Sequence, residues 1–154
     1  LLNGPDAFWV VHCDGSAVPN PGRMAVGAVI TSPSGQVHPL SRALHAVGCN
    51  NEAELRALMA ALKEAQVLGA RQVKLFTDNS ILVEQLGDSL DRALPARPIE
   101  RLEALFMEAR VLMRGFDQVC LNWVPRHRNG QADALARAAL GMLPKVSVPR
   151  KRRR

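Results

Sequence analysis

Cysteine is scarce in this chain of 154 residues: Cys13, Cys49 and Cys120 are the three present, an odd number with no CxxC spacing. That argues against a disulfide framework and gives no zinc signature, so no disulfide partner is expected and the thiols read as reduced. A long apolar run is missing as well. The longest early stretch, residues 7–13, has no basic lead-in, contains a histidine and runs straight into Asp14-Gly15, which fits neither a secretory signal nor a membrane span. A soluble, cytoplasmic protein with no membrane partner is expected, and a monomer. The chain opens on Leu1 rather than methionine, which leaves open that it is a piece of something longer.

What is present suffices for one domain: 47% of the residues are hydrophobic, enough for a core at this length. The net charge of +6 is unevenly placed. Lys145, Arg150, Lys151, Arg152, Arg153 and Arg154 carry all of the excess, and the residues before them hold equal numbers of each sign. A cluster of this kind attracts polyanions through counterion release, although a solubilising end or a nuclear-import signal has the same composition. The predicted organisation is an N-terminal extension over residues 1–7, one folded domain over 8–143 and a basic tail over 144–154.

Residues 8–13 (FWVVHC) and 25–31 (AVGAVIT) are rich in β-branched and apolar side chains, with Pro19, Pro21 and Gly22 between them; they read as two strands joined by a turn. Ser32-Pro33-Ser34-Gly35 marks another turn, and residues 36–44 pair back as a third strand. Over residues 51–68 the apolar positions Leu55, Leu58, Met59, Leu62, Ala65 and Val67 follow helical spacing, with Gly69 placed to end the helix. A strand over 72–76, a short helix over 78–86, a loop over 87–98, a helix over 99–113, a strand over 118–124 and a helix over 130–140 complete the chain. Hairpins make the first three strands antiparallel, and helical crossovers make the later ones parallel. The predicted fold class is α/β, a five-stranded mixed sheet flanked by helices, in which ligands gather beyond the carboxyl ends of the parallel strands.

Four acids lie where a strand ends or a helix begins. Each has a modest structural alternative. Asp14 suits the head of an Asp-Gly turn, Glu54 a capping box begun at Asn51, Asp78 a helix cap, and Asp133 the dipole of the last helix. Four independent caps need not converge, whereas converging buried carboxylates need cations or protons to relieve their repulsion. Oxygen ligands without Cys or His favour a hard ion, Mg²⁺ or Mn²⁺, and two such ions suit in-line displacement at phosphorus. His127, a few residues before Asp133, is a candidate proton carrier or a solvated loop histidine.

The segments CDGSAVPNPG with VGAVI, NNEAELRALMAAL, FTDNS and WVPRHRNGQADALARAAL, in this order, resemble the type I ribonuclease H family over about residues 8–140. The resemblance implies a ribonuclease H-like fold and an endoribonuclease that cuts the RNA strand of an RNA–DNA hybrid, leaving 5′-phosphate and 3′-hydroxyl ends. It implies that Asp14, Glu54, Asp78 and Asp133 hold two Mg²⁺ ions, with Mn²⁺ as a substitute, that Glu54 lies near the ribose 2′-hydroxyl at the cut site, and that His127 is the auxiliary histidine. Asn20, Asn50, Asn51 and Asn79, with the backbone around Gly15 and Ser16, match positions that meet the hybrid, where 2′-hydroxyls and groove shape are read rather than sequence.

The sequence also departs from the family pattern. The loop from His127 to Asp133 is short, Cys49 replaces a common threonine, and Ser80 replaces a common glutamine. The long basic protrusion of many members is reduced to residues 87–98, with Arg92 and Arg97. The basic tail is the expected substitute for that missing grip. A non-catalytic module of the same fold would be expected to lose one or more of the acids, and all four are present. A DNA-acting nuclease or transposase of this fold is disfavoured by the DGS…NPG and NNEAE segments. The ribonuclease H domain of a larger polypeptide, such as a reverse transcriptase, stays open.

Overall fold

The run FWVVHCDGSAV forms a first strand, β1 (Phe8–Val18), in the computed structural model of the protein, which describes residues 7–87 and 100–143. The strand is longer than predicted. Asp14-Gly15 does not turn the chain, because both residues stay in register with the second strand, β2 (Gly22–Thr31), as Asp14↔Gly27 and Gly15↔Val26. The turn comes at Pro19 to Pro21 instead. The third strand, β3 (Val37–Gly48), also exceeds expectation, carried past Leu44 by continued pairing with β2 across an irregularity between Arg23 and Ala25.

The long amphipathic run is helix α1 (Asn50–Val67), and Gly69 follows with φ of 96°, a left-handed conformation that suits glycine after a helix end. Next come β4 (Gln72–Thr77), α2 (Ser80–Leu86), a 3₁₀ turn over Glu100–Leu102, α3 (Glu103–Arg114), β5 (Gln118–Trp123), a second 3₁₀ turn over Arg126–Arg128 and α4 (Gly130–Ala139). The sheet runs β3-β2-β1-β4-β5. The first three strands are antiparallel, and β4 and β5 join parallel to β1. The expected five-stranded mixed sheet is what forms.

Helix α1 buries Leu55, Leu58, Leu62 and Ala65 against Val11, Val26, Ala28, Val73 and Leu75, and Phe106 and Ala109 of α3 complete that side. Truncating one such leucine to alanine costs about 2–5 kcal/mol. Helix α4 packs on β1, β2 and β3. Two glycines set how closely the helices approach. A Cβ on Gly15 would stand 2.1 Å from the Ala53 carbonyl oxygen of α1, and a Cβ on Gly27 would stand 2.3 Å from the Ala132 carbonyl oxygen of α4. Neighbouring residues on a strand face opposite ways and directly paired residues face the same way. Asp14, paired with Gly27, therefore shares the α4 face, and Gly15 lies under α1. The predicted loop with Arg92 and Arg97, the extension before residue 7 and the basic tail lie outside the described residues.

Candidate active site

Parallel pairing between β1 and β4 runs from Phe8↔Gln72 to His12↔Phe76. Beyond that rung β1 continues, paired with β2, while β4 ends at Thr77. The flank of Asp14 that would face β4 is therefore open, at the carboxyl end of the parallel strands where an α/β sheet binds its ligands. Asp78 leaves β4 at this point. Glu54 arrives from α1, whose close approach over Gly15 brings it within reach.

Oxygen atoms of Asp14, Glu54 and Asp78 lie within 4.8 Å of one another. Asp133, in the first turn of α4, sits close enough to Asp14 for its charge to act on that carboxyl. The four acids line one groove of about 810 Å³, together with Gly15, Ser16, Asn20, Asn50, Asn51, Asn79 and His127. Every candidate catalytic, metal-binding or hybrid-contacting residue among those described thus borders one cavity. The six basic tail residues lie outside the described residues.

The simple alternatives for two of the acids do not hold. Helix α1 is capped by Cys49, whose Sγ accepts from the Glu52 N–H at 3.4 Å, so Asn51 opens no capping box and Glu54 is not part of one. Helix α2 is capped by Asn79, whose Oδ1 accepts from the Ile81 and Leu82 N–H groups, so the Asp78 side chain caps nothing there. The reason lies in chain geometry, since both helices begin one or two residues away from where composition alone suggested.

Burial raises the Asp14 carboxyl from 3.8 to about 9, and the charges of Asp78, Glu54 and Asp133 push the same way. Glu54 rises from 4.5 to about 7, again chiefly through burial. The Asn79 amide donates to Glu54 and pulls this value down, whereas the Asp78 charge raises it. Burial, aided by Asp14, Glu54 and Asp78, also pushes the neighbouring Cys13 thiol well up, so it is a protonated wall rather than a nucleophile. The oxygen-only cluster therefore carries repulsion that a cation would relieve, and its chemistry fits a hard divalent ion.

The asparagines hold one another as well as the groove. Asn50 Oδ1 accepts from the Ala17 N–H at 2.9 Å, and Asn20 Oδ1 accepts from the Asn50 N–H at 3.0 Å. The Asn79 amide also donates to Asn51 Oδ1 at 2.9 Å. His127 is exposed on the second 3₁₀ turn at the groove's border. Sequence reasoning missed four contributors. Arg126 and Arg137 bring positive charge to the lining, Gly27 admits α4, and Asn129, 1% exposed, donates from Nδ2 to Asp78 Oδ2 at 3.0 Å. A signal for Asn129 existed, because asparagine directly before a helix is a favoured cap.

The reverse transcriptase-like family profile matches residues 12–139. A ribonuclease HI of Halobacterium salinarum is 36% identical over 138 residues, spanning 88% of this chain and 67% of that protein. The chain belongs to the ribonuclease HI family. The crystal structure of the ribonuclease H1 from Halobacterium salinarum superposes with a TM-score of 0.78 at 33% identity, covering 88% of this chain and 98% of that one. The N-terminal ribonuclease H domain of a Mycobacterium tuberculosis protein gives 0.74 at 33% identity, covering 86% and 98%. A compost-derived ribonuclease H1, solved in complex with an RNA/DNA hybrid, gives 0.73 at 26% identity, covering 86% and 96%. The chain spans about a third of the length of the mycobacterial bifunctional protein, with 35% identity over 134 residues. Ribonuclease HI relatives therefore include both short chains and a domain of a larger protein. Among the described residues, no helix is long and apolar enough to cross a membrane.

Proposed function

We propose that this chain is an endoribonuclease that hydrolyses the RNA strand of RNA–DNA hybrids, with Asp14, Glu54, Asp78 and Asp133 as the acids that hold two divalent ions, Mg²⁺ or Mn²⁺. The observation that carries the reading is the convergence of three carboxylates within 4.8 Å at the open end of β4, in a member of the ribonuclease HI family. A relative of this family has been solved with an RNA/DNA hybrid, which supports the substrate class. A pair of hard divalent ions supplies, when bound, an activated water and charge stabilisation for the leaving 3′-oxygen. The carboxylates would hold and orient these ions, and Glu54, hydrogen-bonded by Asn79, would meet the ribose 2′-hydroxyl that distinguishes RNA from DNA. Asn20, Asn50, Asn51 and Asn79 offer uncharged hydrogen-bonding groups for sugar and base edges, and His127 stands exposed at the border as the auxiliary histidine.

A labelled RNA–DNA hybrid, the matching RNA and DNA duplexes and single strands are incubated with the protein, with Mg²⁺, with Mn²⁺ and with chelator. The expected result is cleavage of RNA in the hybrid alone, lost with chelator and in Asp78→Asn by about 10³-fold or more. Binding without cutting under every metal condition would replace this reading by a non-catalytic hybrid-binding module.

The basic tail is proposed as the electrostatic grip that replaces the missing protrusion. Leu143, the last described residue, offers its carbonyl oxygen to Arg137 Nε at 3.1 Å, and Arg137 lines the groove. Deleting Lys145 to Arg154 is expected to raise KM and flatten its salt dependence, by roughly 0.9 in the log–log slope for each phosphate that the tail neutralises, while kcat changes little. An unchanged KM at every salt concentration rules the tail out as a substrate-binding element.

A further inference from the structure

Asn129 stands directly before α4, where an asparagine ordinarily accepts a hydrogen bond from the first free N–H groups of the helix. Asn79 does this for α2, but Asn129 makes no such cap. Its amide turns inward. Nδ2 donates to the Cys13 carbonyl oxygen at 2.9 Å and to Asp78 Oδ2 at 3.0 Å. The partners fix the orientation, because a flipped amide would set an oxygen against a carbonyl and a carboxylate, neither of which donates. The remaining oxygen, Oδ1, is buried and has no hydrogen-bond partner among the described residues.

Two features therefore meet at one residue: a forgone helix cap, and a buried acceptor with no backbone or side-chain partner among the described residues. Packing does not account for either, since an apolar side chain would avoid the second. What the residue gains is a fixed link between the backbone beside Asp14 and the carboxylate of Asp78. Its own carbonyl oxygen accepts the Asp133 N–H at 3.1 Å, so the link extends to the third element of the site. Trp123 Nε1 donates to the Asp78 carbonyl oxygen at 3.2 Å, and Asp78 is thus held through both backbone and side chain.

We infer that Asn129 is a positioning residue for metal binding: it holds one oxygen of Asp78 so that the other faces Asp14 and Glu54. The inference rests on the proposed reading of the site as a divalent-ion centre. Outer groups that orient a ligand alter metal affinity by about 10- to 100-fold when removed. A purely structural role in seating α4 would not, and Ser41 provides the comparison. Its hydroxyl donates to the Leu135 carbonyl oxygen at 2.6 Å, tying α4 to β3, and Ser41 does not line the groove of the four acids.

The test is calorimetric titration of Mn²⁺ into the metal-free full chain and into Asn129→Ala, Asn129→Ser and Ser41→Ala, with melting curves for each. Asn129→Ala is expected to lose about 10-fold or more in Mn²⁺ affinity. Asn129→Ser, which keeps a donor, should fall between it and the parent, and Ser41→Ala should stay within about twofold. Activity follows the same order: kcat of Asn129→Ala recovers as Mn²⁺ is raised, while KM for the hybrid is unchanged. If Asn129→Ala gives no cooperative melt, the serine variant is judged by the same comparison with Ser41→Ala. Parental Mn²⁺ affinity in the folded variants, or an equal loss in Ser41→Ala, overturns the inference. A parent chain that takes up no Mn²⁺ overturns the metal-centre reading itself, and the inference with it.

Discussion

Asp14→Asn is expected to reduce hybrid cleavage by about 10³-fold or more and, in the same protein, to raise the melting temperature of the metal-free form at pH 8. The two effects share one cause. Burial, with the charges of Asp78, Glu54 and Asp133, lifts the Asp14 carboxyl from 3.8 to about 9. A group whose value is raised on folding binds more protons in the native than in the unfolded state, so native stability falls as pH rises between the two values. The slope approaches ~1.4 kcal/mol per pH unit for each proton involved. For Asp14 the window runs from about pH 4 to pH 9, and Glu54 adds a second slope between its ordinary 4.5 and about 7. Asparagine cannot ionise, which removes the larger slope and leaves the smaller.

The measurement is the melting temperature in chelator from pH 5 to pH 9 for parent and variant. The gap in favour of Asp14→Asn should widen with pH, and adding Mn²⁺ should close or reverse it by stabilising the parent in proportion to ligand binding. A variant less stable than the parent at every pH without metal would mean that the cluster is not under repulsion. The acids would then be ordinary partners in a hydrogen-bond network rather than ligands held ready for a cation.

Much of this site was legible because acids and strand ends are written locally. FWVVHCDGS, FTDNS and RNGQAD each place an acid beside a break in hydrophobic pattern, and chain order supplied the topology that gathers them. Less legible were features fixed by packing between distant segments. The run FWVVHC reads as a strand ended by Asp14-Gly15, but pairing with β2 keeps both residues in the strand. That matters, because the open flank comes from the shorter β4 and not from a turn in β1. Asn51 and Asp78 are reasonable caps by composition, yet Cys49 and Asn79 cap the helices, because each helix begins a residue or two away from where composition places it. Asn129 and Gly27 carry no chemistry visible in isolation. One acts through a carboxylate 51 positions away in sequence, the other by having no side chain where α4 crosses.

Gly27→Ala is the sharpest test of that last point. The added methyl would lie 2.3 Å from the Ala132 carbonyl oxygen, 2.5 Å from the Ala136 nitrogen and 3.1 Å from the Leu135 carbonyl carbon. All three are backbone atoms of one helix, so no side chain can rotate out of the way and α4 must lift from the sheet. Overpacking of this kind costs about 1–3 kcal/mol, which lowers the melting temperature. The larger consequence falls on chemistry, because Asp133 rides on the first turns of α4 and must keep its place beside Asp14. A shift of about 1 Å in a positioned group costs on the order of 10²-fold, so kcat should drop by about that factor, with more Mn²⁺ needed for half-maximal activity. Combining Gly27→Ala with Asp133→Asn separates the routes. If the glycine acts through Asp133, the double variant should be hardly slower than Asp133→Asn alone, since the two effects are not independent. Additive effects would place the damage elsewhere in the groove, and parental kcat in a destabilised Gly27→Ala would show that the seating of α4 does not set the position of Asp133.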